Sequence, residues 1–157
     1  FSVITDWYHD AILELTMVRG FKSDYKWIAQ TLDIDVSSVE LAIERLLRLK
    51  LLKKAQNGRL VQGKGSTSVL GGDKTSVAQM GLQIELLRRA AKAVETIEKP
   101  KREQVSMAMA INSKDIPEAK IRIKKFNREL CEYLQRKGRT LDSVYQVCIS
   151  LFPHTKL

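Results

Sequence analysis

The dipeptide Asn57-Gly58 constrains this chain more than any other feature. It lies between Leu51-Leu52-Lys53-Lys54-Ala55-Gln56 and Arg59-Leu60-Val61-Gln62, two short runs able to pair. Asn-Gly accepts the positive φ values of a two-residue type I′ turn, so the segment reads as a β-hairpin. Three helical patterns precede it. From Asp6 to Val18, Trp7, Ala11, Leu15 and Val18 share one face with Ile12 beside them, and Gly20 supplies the stop. A second, short helix starts at Ser23 or Asp24 as cap, carries Trp27, Ile28 and Leu32, and ends near Asp33. A third runs to about Lys50, with Ser37 as N-cap and Glu40 three residues on, the spacing of a reciprocal cap. Its Val39, Ala42, Ile43, Leu46, Leu47 and Leu49 give the broad apolar face of a helix inside a three-helix core. Ile28-Ala29, Leu32, Ile34, Val39 and Leu46-Leu47 follow the spacing of a helix-turn-helix. Residues 1–62 therefore read as a winged helix-turn-helix module.

Such modules bind DNA by laying the third helix in the major groove, or serve only as protein-interaction units. The outward face of this third helix offers Ser37, Ser38, Glu40, Leu41, Glu44, Arg45 and Arg48. Two glutamates stand where bases would be read, while Arg45, Arg48, Lys50, Lys53, Lys54 and Arg59 are the residues able to contact a phosphate backbone. A solvated face on a packing module is the competing meaning of the same pattern.

Residues 63–74 are rich in Gly, Ser and Thr and read as a flexible linker. They contain the ingredients of a phosphate-binding loop in the wrong order: Asp73 separates Gly72 from Lys74, and a hairpin strand rather than a buried one precedes them.

The second module, 75–157, reads as helix, strand, helix, strand. From Thr75 to about Ile97, Val77, Met80, Ile84, Leu87, Ala91 and Val94 recur at three- and four-residue spacing. A second stripe, Leu82, Leu86, Ala90, Ala93 and Ile97, runs alongside, so this helix needs cover on two sides. That cover is either burial between the two modules or a second protomer, and in the second reading the first stripe is the candidate dimer interface. After Pro100, Val105 to Ile111 alternates large apolar with small residues, as a half-buried strand does. Ser113 or Asp115 starts a helix with Pro117 in its first turn; Ile116, Ala119, Ile123, Phe126, Leu130 and Leu134 are apolar, and Lys120, Arg122, Lys124, Lys125 and Arg128 face solvent. Gly138 stops it, and Ser143 to Phe152 forms a last strand. Two strands make a marginal sheet, so pairing with the wing or with a second chain is expected. The fold class is α+β and mainly helical.

Composition narrows the function. At 157 residues, with 44% hydrophobic and 29% charged, the chain is globular. No apolar run is long enough for a membrane helix and the start lacks the order of a signal peptide, which points to the cytoplasm and no membrane partner. Lack of an initiating Met suggests trimming from a longer protein. The net charge of +9 is uneven: residues 1–63 hold 9 Lys+Arg against 8 Asp+Glu, and residues 64–157 hold 18 against 10. Cys131 and Cys148 are too few and too far apart for a disulfide framework and read as small core or interface residues. His9 and His154 have no carboxylate cluster in sequence beside them, so no catalytic residue, metal site or cofactor is expected.

Asp6-Trp7-Tyr8-His9 with Ala11 to Leu15, Trp27-Ile28-Ala29 with Leu32 and Ile34, Phe126 with Arg128, and Val144-Tyr145-Gln146 leading into Leu151-Phe152-Pro153 with Thr155-Lys156 carry a resemblance over nearly the whole chain. The chain resembles a large paralogous family of bacterial transcriptional regulators whose C-terminal half is a domain of unknown function. It departs from the pattern at His154, where an aliphatic residue is expected, and at Asp33, where Gly is usual. The resemblance implies a non-enzymatic regulator with a further DNA-binding-like segment before this region. Duplex DNA, a protein partner and a second copy of the chain are the expected partners. A scaffold that never touches DNA is the alternative.

Overall fold

The computed structural model describes residues 6–64 and 77–156. Helices α1 (Tyr8–Leu15), α2 (Tyr25–Leu32) and α3 (Val36–Arg48) are followed by strands β1 (Leu52–Lys54) and β2 (Leu60–Gln62), then by helices α4 (Val77–Thr96) and α5 (Ile116–Leu134), with 3₁₀ turns at Lys99–Lys101 and Ser113–Asp115. The protein is mainly helical, with one two-stranded antiparallel sheet. The linker expected over 63–74 lies, beyond Lys64, outside the described residues, as do Thr75 and the first five residues of the chain.

Local chemistry explains the element ends. Asp24 caps α2, its carboxylate accepting from the Lys26 amide at 2.9 Å. Asp33 closes the same helix in the left-handed region (φ 55°, ψ 52°), the conformation that a glycine would take here and that Asp tolerates better than most residues. The reciprocal cap expected from Ser37 and Glu40 is not formed: α3 begins two residues earlier, with Asp35 at the N-cap and no side-chain bond. Ile34 N donates to Ala29 O at 3.0 Å, which shortens the connector and pulls the helix start forward.

The hairpin sits where Asn57-Gly58 places it, with a different turn. Lys54 pairs with Leu60, Lys53 with Val61 and Leu52 with Gln62. Gly58 N donates to Ala55 O at 2.9 Å and Ala55 N to Arg59 O at 2.8 Å. Gly58 alone in the loop has positive φ, at 80°. This is a three-residue loop, a type I turn with a glycine bulge, and not the two-residue type I′ turn. Asn57 uses its side chain instead, accepting from Arg59 N at 3.0 Å.

The chain divides into two compact units, 1–87 with 140–144 and 88–139 with 145–157. In the first, Ile12, Leu13, Leu15, Phe21, Ile28, Ala29, Val39, Ala42, Ile43, Leu46, Leu51, Leu52 and Leu60 form one buried core. At about 25 cal/mol per Å² of apolar surface removed from water, this cluster supplies the main drive for the unit to fold. Residues 140–144 join it through Arg19 N donating to Leu141 O at 2.8 Å and Val144 packing on the core.

The second unit differs. None of its described residues is buried. The strands expected at Val105–Ile111 and Ser143–Phe152 are not formed: residues 103–111 and 145–156 make no backbone-to-backbone hydrogen bond to a described residue. Among the described residues, no neighbouring strand pairs with either segment, so the ladder that defines a sheet does not close. Cys131, on α5, and Cys148, expected as small core or interface residues, are both exposed.

Candidate nucleic-acid interface

The residues expected to meet phosphates lie on α3, its C-terminal turn and the hairpin, and the first unit's core fixes their backbone. Two hydrogen bonds tie the hairpin to the connector before α2 and to α1, and a third closes its own base. Leu60 N donates to Ser23 Oγ at 2.9 Å, Gln62 Nε2 donates to Leu13 O at 3.0 Å, and Gly63 N donates to Leu51 O at 2.8 Å. Gly63 approaches the Lys50 carbonyl so closely that a Cβ would overlap it. Lys50 itself takes positive φ, at 61°, which turns the chain from α3 into β1.

Arg48, Lys50, Lys53, Lys54 and Arg59 are exposed. Lys50, Lys53 and Lys64 line one shallow hollow together with Leu47, Leu52 and Gly63. Arg59 lies over the Phe21 ring at 5.6 Å, which orients its guanidinium at the hairpin edge. Ser37, Glu40 and Glu44 are exposed along α3, and Leu41 stands out at 62% exposure between the two glutamates. Nothing cationic lies in the first two turns of that helix.

Arg45 departs from the expected pattern. It is half-buried, and its Nη1 lies 3.2 Å from Nε2 of His9. The other ring nitrogen of His9, Nδ1, lies 3.1 Å from the Asp6 carbonyl oxygen. An arginine only donates, so Nε2 accepts from Arg45 and Nδ1 carries the proton donated to Asp6. His9 is completely buried and stacks on Tyr8 at 5.2 Å. Burial lowers its pKa below 6.5, and the Arg45 charge pushes the same way against the hydrogen bond to Asp6. Beside it, Oδ1 of Asp10 is buried with no hydrogen-bond partner, and burial raises its pKa above 3.8, partly offset by His9.

The buried face of α1 is rotated from the one expected, which hid this polar cluster. His9, Ile12, Leu13 and Leu15 are the buried residues of α1, whereas Ala11 had been expected there and Leu13 had not. The signal was present: His9, Ile12 and Leu13 have i, i+3, i+4 spacing.

The expected dimer face behaves as a separate surface. Val77, Met80, Ile84, Leu87, Ala91 and Val94 are all exposed along α4, while Leu82, Leu86, Ala90 and Ala93 of the second stripe are half-buried. Among the described residues, no three His, Cys, Asp or Glu side chains gather as a metal site, and no helix is long and apolar enough to cross a membrane.

No curated protein matches this chain and no solved structure does. Residues 1–153 match the model of a family described as a domain of unknown function, DUF4423, and the chain belongs to that family.

Proposed function

We propose that the chain is part of a cytoplasmic bacterial transcriptional regulator with no enzymatic role, in which the first unit is a winged helix that makes weak, sequence-tolerant contacts with duplex DNA and the chain works as a homodimer. The observation that carries the DNA reading is the set of exposed cations, Arg48, Lys50, Lys53, Lys54 and Arg59, on a hairpin and helix end held rigidly by the core. Each can neutralise a phosphate and release a counterion. Glu40, Leu41 and Glu44 occupy the part of α3 where base edges would be read, so few positions can make the paired hydrogen bonds that separate one base from another. The homodimer reading rests on the six exposed apolar residues of α4.

Fluorescence anisotropy with unrelated duplexes at two salt concentrations tests this. Similar weak affinities are expected for all duplexes, fading steeply with salt, and Lys53→Ala/Lys54→Ala should lower the salt slope by about two units. Tight binding to one duplex at physiological salt would refute sequence tolerance. Absence of binding at low salt would refute DNA binding altogether and leave the alternative, a protein-interaction scaffold. That alternative has its own support. Arg45 is engaged by His9, and the first unit has a net charge of zero, with 11 Lys+Arg against 11 Asp+Glu.

A further inference from the structure

We infer that residues 105–111 form the central contact of the homodimer, pairing antiparallel with the same segment of a second copy about Ala108. This rests on the homodimer reading above and assigns it a second element and a register.

Three observations lead there. First, Val105, Met107, Met109 and Ile111 are 80%, 79%, 60% and 55% exposed, and residues 103–111 make no backbone hydrogen bond to a described residue. The backbone at both ends of the segment is already extended, Arg102 at φ −141°, ψ 162° and Asn112 at φ −91°, ψ 122°. Alternating apolar residues on unpaired extended backbone are what an added strand binds.

Second, the segment reads alike in both directions from its centre. Pairing about Ala108 sets Val105 against Ile111, Met107 against Met109 and Ser106 against Ala110. A two-fold contact must be self-complementary in this way, residue i meeting j and j meeting i. Small residues at 106, 108 and 110 let the two backbones be covered closely on that face, while the large ones gather on the other.

Third, charge leaves few other places for two copies to meet. The second unit holds 16 Lys+Arg against 7 Asp+Glu, a net of +9, so most of its surfaces repel their own copy. Residues 104–113 contain no charged side chain, and neither do residues 143–153. Pairing sets the four apolar residues of each copy side by side on one face of the strand pair. The exposed stripe of α4 adds to it. Residues 145–151 also alternate, but Val147, Ile149 and Leu151 are less exposed and Tyr145 is anchored by its hydroxyl donating to Lys101 O at 3.0 Å.

Disulfide trapping in the whole chain tests the register. In a Cys131→Ser/Cys148→Ser background, Ala108→Cys should convert most of the protein to a covalent dimer under mild oxidation, since facing Cβ atoms in a strand pair lie about 4.5–5.5 Å apart. Ser106→Cys alone should give at least tenfold less, and Ser106→Cys with Ala110→Cys should restore it. Met107→Lys/Met109→Lys should shift light scattering from dimer to monomer, with circular dichroism reporting whether the helices persist. A dimer that is not trapped at Ala108→Cys overturns this interface while leaving the homodimer reading intact. A native chain that instead traps itself through Cys148 overturns it in favour of residues 145–151. A wild type that scatters as a monomer at high concentration overturns both.

Discussion

Leu46 and Leu134 are the same side chain near the ends of two amphipathic helices, α3 and α5, and their surroundings have little in common. Leu46 is fully buried among residues of α1, α2 and the hairpin, whereas Leu134 remains 51% exposed. The contrast extends to whole units. One closes a core over three helices and a hairpin, and the other presents the end of α4, α5 and two alternating segments with none of its described residues buried. Both have the apolar periodicity of packed structure. Periodicity therefore shows that a face will be covered, while the element that covers it is a separate matter, decided within the chain in one case and left open in the other.

The contrast can be broken first by identical chemistry in the two places. Leu46→Ala should destabilise the first unit by about 2–5 kcal/mol, because a cavity stays behind in a close-packed core, while Leu134→Ala should cost about 1 kcal/mol or less in dilute solution. Urea unfolding followed by Trp7 and Trp27 fluorescence for the first unit, and by circular dichroism for the whole chain, measures both. Equal costs would mean that α5 is as well covered as α3.

A smaller effect is expected at Gly63. Gly63→Ala should cost about 1–3 kcal/mol, since its Cβ would overlap the backbone carbonyl of Lys50, which has no flexible end to move aside. It should also weaken DNA binding through Lys50, Lys53 and Lys64, which surround the same hollow. A fully stable variant would show that the chain leaves the hairpin more loosely than Gly63 N donating to Leu51 O indicates.

Asp10→Asn should stabilise the first unit by about 1 kcal/mol at neutral pH. The carboxylate has a buried oxygen without a partner, and its raised pKa means that the charged form is the disfavoured one in the folded state. Thermal unfolding at pH 7 reads the sign directly, and a lower midpoint would show that the charge serves His9 or Arg45 instead.

The smallest effect is expected from pH. His9 binds its proton less readily when folded than when unfolded, so its contribution is fully present above pH 6.5 and is lost as pH falls through the lowered folded value. Denaturant midpoints between pH 7.5 and pH 5 should fall accordingly. His9→Gln, which keeps an acceptor for Arg45, should flatten the curve; an unchanged slope would remove His9 as its cause.

Much of the first unit was legible because its elements are specified locally. Asn57-Gly58 located the hairpin, and the apolar residues of α3 located the core-facing side of the third helix. The turn type was not legible, because a loop of two or three residues depends on where the ladder ends, and Asn57 holds the longer loop with its side chain. The face of α1 was misread because a histidine on an apolar helix face was counted as polar, although its partner, Arg45, lies 36 residues away in sequence. Arg45 was expected among the outward cations for the same reason. On α4 the two stripes were legible, and which one is half-buried was not.

By itself the sequence determined three short helices and a hairpin in the first unit, the two long helices that follow, the glycine and aspartate that end or turn them, and the uneven placement of charge. These follow from backbone preference and side-chain spacing, which act within a few residues. The tertiary structure decided that His9 is buried against Arg45, that Gly63 lies against Lys50, and that residues 105–111 and 145–151 find no ladder among the described residues of their own chain. Burial and strand pairing depend on what arrives from far along the chain or from outside it, and no local spacing encodes that partner.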